Sequence, residues 1–267
     1  MRADAALVER GLARSRAVAR ELIQAGQVTA AGRPVTKPAA PVDPAEVAVA
    51  GDVQQWVGRA AYKLIGALEK FAVPVEGTRC IDVGASTGGF TQVLLEHGAR
   101  EVVALDVGHG QLAEPVRSDA RVIERSGINV RDTRPDDVGG PADIVVADLS
   151  FISLRLVLDR LAALTSADGN LITLVKPQFE VGRERLARTG VVSSPRERHR
   201  VLRDVLELVP RVGLYPHGLA TSPIAGGTGN REYLLWARHT QEGRMTEVDV
   251  QTALEQLLAD ELKDTQV

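Results

Sequence analysis

A single cysteine, Cys80, stands among 267 residues. An intramolecular disulfide is therefore excluded, and a reducing cytoplasm is the expected home. Cys80 itself lies in an apolar run and reads as a small core residue. No apolar stretch approaches the ~20 residues needed to cross a bilayer. The opening Met1-Arg2-Ala3-Asp4 starts no signal peptide, so no membrane partner is expected. Aromatic residues are scarce at 3%, and every one of them lies beyond residue 55. The N-terminal region thus has no ring to stack on a base. Nor is there an excess of positive charge, since the net charge is -3.

That average conceals segregation. Residues 1–37 carry seven arginines and lysines against three acids, and residues 183–203 carry seven arginines against two acids. Beyond Gln241 the balance reverses, with seven acids against two basic residues. Two basic patches on an acidic chain point to polyanion contact better than the total argues against it, although either patch alone is more often a solvated face. The length suits a small domain followed by a large one. The boundaries fall at 1–53, a linker at 54–59, a main domain at 60–240 and an acidic tail at 241–267.

In the first segment, residues 4–12 predict a short helix closed by Gly11, and Ser15 caps a second helix that runs to Gln24. On the second helix Val18, Leu22 and Ala25 share one face while Arg16 and Arg20 project from the other. A hairpin-like stretch turns around Ala31-Gly32-Arg33, and Pro38, Pro41 and Pro44 then stiffen the connection onward. VERGLARSRAVARELIQAGQV and GRPVTKP resemble the S4 RNA-binding domain. The resemblance implies an RNA surface built from Arg14, Arg16, Arg20, Arg33 and Lys37. Without aromatics, contact there would run through phosphates and shape. A purely structural appendage is the alternative.

The rest of the chain is organised around residues 78–91, TRCIDVGASTGGFT. A buried strand ends at Ile81-Asp82-Val83, breaks into Gly84-Ala85-Ser86-Thr87-Gly88-Gly89, and resumes as a helix. This is the first unit of a nucleotide-binding α/β sheet, in which glycines admit the ligand and the helix N-terminus offers free N–H groups. Ser86 occupies the place of the second glycine of a dinucleotide fingerprint. The departure points away from a pyrophosphate and towards a smaller adenosine ligand such as S-adenosylmethionine. Asp106 closes the next apolar run about twenty residues on, where an acid meets a ribose diol. A ligand-free glycine turn is the plainer alternative.

Downstream, apolar runs at 101–107, 121–123, 143–148, 170–175, 214–221 and 232–237 alternate with helical stretches at 58–71, 154–164 and 196–209. The pattern predicts an α/β fold: a mostly parallel, Rossmann-like sheet with helices on both faces and a crevice at the carboxyl ends of its strands. Asp82, Asp106, Asp148 and Lys176 all fall at such ends.

In their joint order, RSRAVARELIQAGQV, AAYKL, DVGASTGGFT, ALDVG, VVADLSFISL, LVKPQFEVG and GNREYLLW resemble the FtsJ-like RNA ribose 2'-O-methyltransferases of the TlyA (haemolysin A) family. The likeness covers the chain except for its acidic tail. It implies a methyltransferase sheet preceded by a small α+β S4-like domain, with S-adenosylmethionine as cofactor and no metal. It also implies a catalytic tetrad, which falls on Lys63, Asp148, Lys176 and Glu232. Cofactor contacts are expected from Asp82, Gly84, Ala85, Ser86, Thr87 and Gly88. Phe90 packs beside the ligand or in the core, Asp106 holds the ribose, and Asn129 meets the adenine end or shapes a turn. Arg183, Arg185, Arg188, Arg196 and Arg198 would neutralise RNA phosphates. The one departure from the family pattern is Gln54-Gln55-Trp56-Val57, whose first residue is expected to be basic.

The resemblance further implies cytidine ribose in ribosomal RNA of both subunits as substrate, with a link to capreomycin susceptibility. A monomer acting in the cytoplasm is also expected. The competing readings are a catalytically silent RNA-binding assembly factor, a membrane-active haemolysin and an NAD-dependent oxidoreductase. The missing middle glycine speaks against the last. The lack of a spanning segment or a basic amphipathic helix speaks against the haemolysin.

Overall fold

A computed structural model describes residues 1–13, 16–24, 26–49, 56–182 and 184–264. The chain divides into two compact units, Met1–Trp56 and Val57–Val267.

The first unit opens with α1 (Ala3–Glu9) and α2 (Arg16–Gln24). Ala3, Ala6 and Leu7 of α1 meet Ala19 and Ile23 of α2 in a small apolar core that also takes in Val28, Val35 and Val47. The expected turn is present between β1 (Val28–Ala30) and β2 (Arg33–Pro34). Its two linking residues, Ala31 and Gly32, both take positive φ, which matches the twist of a tight hairpin.

The prolines behave differently from the expectation. They do not form a connection to the next domain. The Pro38 and Ala40 carbonyls accept from the Asp4 and Ala3 N–H groups at 3.0 and 2.9 Å, and Val42 N–H donates to Met1 at 2.7 Å. A proline lacks a donor but keeps its acceptor, so the segment can run back along α1. It then delivers β3 (Val47–Val49), a strand the sequence reading missed, which pairs antiparallel with β1. The small sheet has the order β2-β1-β3.

The second unit continues with α3 (Ala61–Phe71), β4 (Arg79–Val83), α4 (Gly89–Glu96), β5 (Glu101–Asp106), α5 (Glu114–Arg117) and β6 (Val122–Ser126). Then come β7 (Ala142–Ala147), α6 (Leu158–Leu164), β8 (Thr165–Val175), α7 (Pro177–Glu180) and α8 (Pro195–Leu206). The last elements are β9 (Tyr215–Thr221), β10 (Tyr233–Arg238) and α9 (Glu247–Asp264). The seven strands are ordered β6-β5-β4-β7-β8-β10-β9. Neighbours from β6 to β8 run parallel, whereas β10 is antiparallel to both β8 and β9. Burial on both faces explains the near-continuous apolar strands: Ile144, Val145, Val146 and Ala147 have no exposed surface at all. One face, through Ile81, Val83, Val103 and Val145, packs on leucines of α6 and valines of α8. The other is covered by α3 and α4.

Several boundaries moved. Leu154–Leu156 form a tight 3-10 turn ahead of α6 rather than its first turn. The acidic tail is a helix: reciprocal Thr246–Asp249 bonds cap its start, and Leu254 and Glu261 are buried in the body of this unit. No helix among the described residues is long and apolar enough to cross a membrane.

The antiparallel strand decides where the site can be. A parallel strand would carry Glu232, the residue just before β10, to the far edge of the sheet. Because β10 is reversed, Tyr233 pairs with Val175, and Glu232 lies at the same edge as Asp148 and Lys176.

Candidate active site

Four charged side chains from four elements converge at that edge. Lys63 comes from the first turn of α3, Asp148 and Lys176 follow β7 and β8, and Glu232 precedes β10. Lys176 Nζ lies 2.6 Å from Asp148 Oδ1, Lys63 Nζ is 2.9 Å from Asp148 Oδ2, and Lys63 Nζ is 2.7 Å from Glu232 Oε2. The result is an alternating chain, Lys176–Asp148–Lys63–Glu232, with no net charge. The lysines and Glu232 are buried. Burial alone would lower the Lys63 pKa, but Asp148 and Glu232 outweigh it and the net shift is upward. Burial likewise opposes ionisation of Asp148, and its two lysines overcome it, leaving the carboxyl below its usual range. Lys63 is held as an ammonium and Asp148 as a carboxylate.

Further polar groups extend this chain. Lys176 also donates to Ser150 Oγ at 3.1 Å, and Gln178 Nε2 donates to Glu232 Oε1 at 3.2 Å. The Gln178 amide oxygen is buried without a hydrogen-bond partner among the described residues. All six residues line one cavity of about 860 Å³, together with Gly84, Ala85, Ser86, Thr87, Gly89 and Phe90.

The glycine turn between β4 and α4 forms the cavity's other side. Gly88 has φ +92, and a Cβ there would lie 2.9 Å from Val116 Cγ1, so a side chain is excluded twice over. Gly84, at φ +85, passes 3.1 Å from the Asp148 carbonyl oxygen by the same measure. Ser86 takes φ +49 without being a glycine, and its N–H donates to Asp106 Oδ2 at 2.8 Å. Gly108 N–H donates to Oδ1 of the same carboxylate, also at 2.8 Å. Asp106 therefore ties the turn to the loop after β5. Asp82 lies beneath the turn, 1% exposed. Burial pushes its carboxyl up to about 7, only partly offset by the Thr91 bonds. Its Oδ2 accepts from Thr91 Oγ1 at 2.7 Å, while Oδ1 is buried without a partner among the described residues.

The structure thus brings the four charged residues together with Gly84, Ala85, Ser86, Thr87 and Phe90. Asp82, Gly88, Asp106 and Asn129 are not among the cavity's lining residues. Asn129 is exposed, and its side chain accepts from Arg131 N–H at 3.1 Å to cap a 3-10 turn. Arg16, Arg20, Arg33, Lys37, Arg185, Arg188 and Arg196 are exposed. Arg14, Arg183, Gln54 and Gln55 lie outside the described residues.

Arg198 is a correction. It is 8% exposed, both Nε and Nη2 bond Glu261 at 2.8 and 2.6 Å, and Nη1 donates to the Val192 and Ser193 carbonyls. A guanidinium so enclosed cannot reach a phosphate. A run of arginines in sequence does not reveal that one of them meets a carboxylate 63 residues away.

The sequence reading missed the cavity's aromatic lip. Phe151 is 92% exposed with φ +63, and its ring lies 5.4 Å from that of Phe179, which in turn lies 5.9 Å from Lys176 Nζ. Glu180 accepts from Leu154 N–H at 2.7 Å and from Ser153 Oγ, locking the two loops together. Both rings stand in VVADLSFISL and LVKPQFEVG, so their signal was in view: apolar residues beside a charged strand end.

The comparisons with known proteins agree with this architecture. Residues 56–239 match the FtsJ-like methyltransferase family and residues 1–47 match the S4 domain. The class is an S-adenosylmethionine-dependent methyltransferase with an appended RNA-binding unit. A 16S/23S rRNA (cytidine-2'-O)-methyltransferase, TlyA of Mycobacterium tuberculosis, is 51% identical over 91% of each chain. Hemolysin A of Brachyspira hyodysenteriae is 35% identical over 88% of this chain and 98% of its own. A solved Streptococcus thermophilus structure, provisionally described as a hemolysin, is 36% identical with a TM-score of 0.77, covering 100% of this chain and 98% of that one. The chain belongs to the TlyA family of FtsJ-like methyltransferases.

Proposed function

We propose that this chain methylates the 2'-oxygen of cytidine ribose in ribosomal RNA of both subunits, acting as a monomer on ribosomal particles in the cytoplasm. The observation that carries the reading is the alternating chain Lys176–Asp148–Lys63–Glu232 facing a cavity beside the Gly84–Gly89 turn.

S-adenosylmethionine supplies an already activated methyl group when bound. Gly84 to Thr87 would cradle it with backbone groups, while the Cβ-free Gly84 and Gly88 let the turn pack closely against Asp148 and Val116. Each Asp106 oxygen serves one backbone N–H and keeps a lone pair for a ribose hydroxyl. The protein's remaining task is to hold the 2'-oxygen in line and take its proton, and positioning is the larger part of that. Lys63 is pinned between two carboxylates and serves as a fixed charge. Lys176 has one carboxylate and one hydroxyl partner and is the proton acceptor. The proton that leaves the 2'-oxygen goes to Lys176 Nζ as the methyl arrives. Phe151 and Phe179 present rings on which the target base stacks, and the Gln178 amide oxygen is free to accept a bond from it. The exposed cations Arg16, Arg20, Arg33, Lys37, Arg185, Arg188 and Arg196 would follow the phosphates.

Nucleoside mass spectrometry of ribosomal RNA from cells with and without the gene tests this. 2'-O-methylcytidine that disappears with the gene supports it. Unchanged 2'-O-methylation in both subunits refutes it.

A further inference from the structure

Asp4 is a carboxylate with no exposed surface on a unit whose charged face is basic. It stands in the first turn of α1, just beneath the surface, and is covered by arginines. Arg2 donates Nε to Oδ1 and Nη2 to Oδ2, both at 3.0 Å, the forked geometry that orients a guanidinium as well as binding it. From α2, Arg20 Nε lies 3.6 Å from Oδ2. The Arg2 bond, with the charges of Arg2, Arg16 and Arg20, holds the Asp4 carboxyl below its ordinary range despite its covering.

The arginines are not buried with it. Arg2 and Arg20 keep 51% and 55% of their side-chain surface. Arg2 uses two N–H groups of its five on Asp4, which leaves three for a further ligand. Taken alone, a negative charge on this face weakens its attraction for a polyanion. What it contributes is order: two long, mobile cations are set in place before a ligand arrives, so the entropy of fixing them is not charged against binding.

We propose that Asp4 is a positioning residue for RNA, holding Arg2 and Arg20 as a paired fork for backbone phosphates. This rests on the reading of the chain as an RNA enzyme. It adds Arg2 to the RNA surface and gives a buried acid a part in binding a polyanion.

The sign of one substitution separates this from simple electrostatics. Asp4→Asn raises the charge of the face by one, so charge alone predicts tighter RNA binding. Lost positioning predicts weaker binding. Affinity for 23S rRNA transcribed in vitro, measured in the full chain across a salt series, should fall about fivefold in Asp4→Asn. The slope of log K against log salt should drop by about one, as for a lost phosphate contact. In an Arg2→Ala/Arg20→Ala background the same change should have no further effect, whereas a merely structural role for Asp4 would weaken binding there too. Wild-type binding with Asp4→Asn equal or tighter overturns the inference alone, as does a further loss in the double-alanine background. Failure of the wild type to bind the RNA overturns the functional reading along with it.

Discussion

Lys63 and Arg198 are both buried helix cations in the second unit, and each meets a buried glutamate: Glu232 at 2.7 Å and Glu261 at 2.6 Å. The two glutamates are linked through adjacent residues, because Tyr233 donates its hydroxyl to Glu261. Yet the networks have different ends. Arg198 turns its bonds inward, to a carboxylate and to two carbonyls, and ties α9 to α8 and to the segment at 192–193. The Lys63 chain finishes at Lys176 and Gln178 on the wall of the cavity. Buried charge as such does not mark a site. A buried chain that stops, with unfinished hydrogen-bonding capacity facing a cavity, does.

The sharpest way to break the comparison is at the open end. Lys176→Ala should lower methyl transfer by about 10²–10⁴-fold, the usual range for removing a general base. Asp148 keeps Lys63 at 2.9 Å, so urea unfolding should show little loss of stability. Next comes one member of each buried pair. Lys63→Met and Glu261→Ala each leave a buried charge uncompensated, and each should cost about 3–5 kcal/mol of unfolding free energy. They should differ in turnover per folded molecule: lost in Lys63→Met, and kept within about tenfold in Glu261→Ala. Equal turnover in the two would erase the distinction.

Asp82 sharpens the comparison through pH. Its carboxyl is raised to about 7, so between pH 4 and 7 the folded state binds a proton that the unfolded state does not, and stability falls as pH rises through that window. The contribution is fully present below pH 4 and gone above 7, on the order of 4 kcal/mol for a shift of about three units. Asp82→Asn should flatten the pH dependence of unfolding across this window; an unchanged slope would contradict it. The smallest effect is expected at the exposed lip. Phe151→Ala should leave stability within about 0.5 kcal/mol and weaken the RNA transition state by about 1–3 kcal/mol in kcat/KM, the range for a lost base stack.

How much of this was legible beforehand follows from the range of the interactions. The Gly84–Gly89 turn, the strand ends at Asp148 and Lys176, and α8 were readable, because each is written in a contiguous stretch. Glu232 could be placed only by resemblance, since the reversal of β10 depends on pairing across the sheet. The strand β3 was hidden because three residues, Val47-Ala48-Val49, follow a proline-rich segment that looks like a linker. Arg198 was misread because its partner is set by the packing of α9 on α8. Gln178 and Ser150 carried no signal until the sheet brought them to Glu232 and Lys176.

The measurement that reaches the central claim most directly is single-turnover transfer of labelled methyl from S-adenosylmethionine to unmodified ribosomal subunits, comparing wild type with Lys176→Arg. Arginine keeps the charge beside Asp148 but does not deprotonate in proteins. The account predicts label on cytidine 2'-oxygen with wild type. It predicts intact cofactor binding but less than about a hundredth of that transfer with Lys176→Arg, the loss expected without a general base. Substantial transfer by Lys176→Arg, or label on a base nitrogen or carbon instead of the ribose, would contradict it.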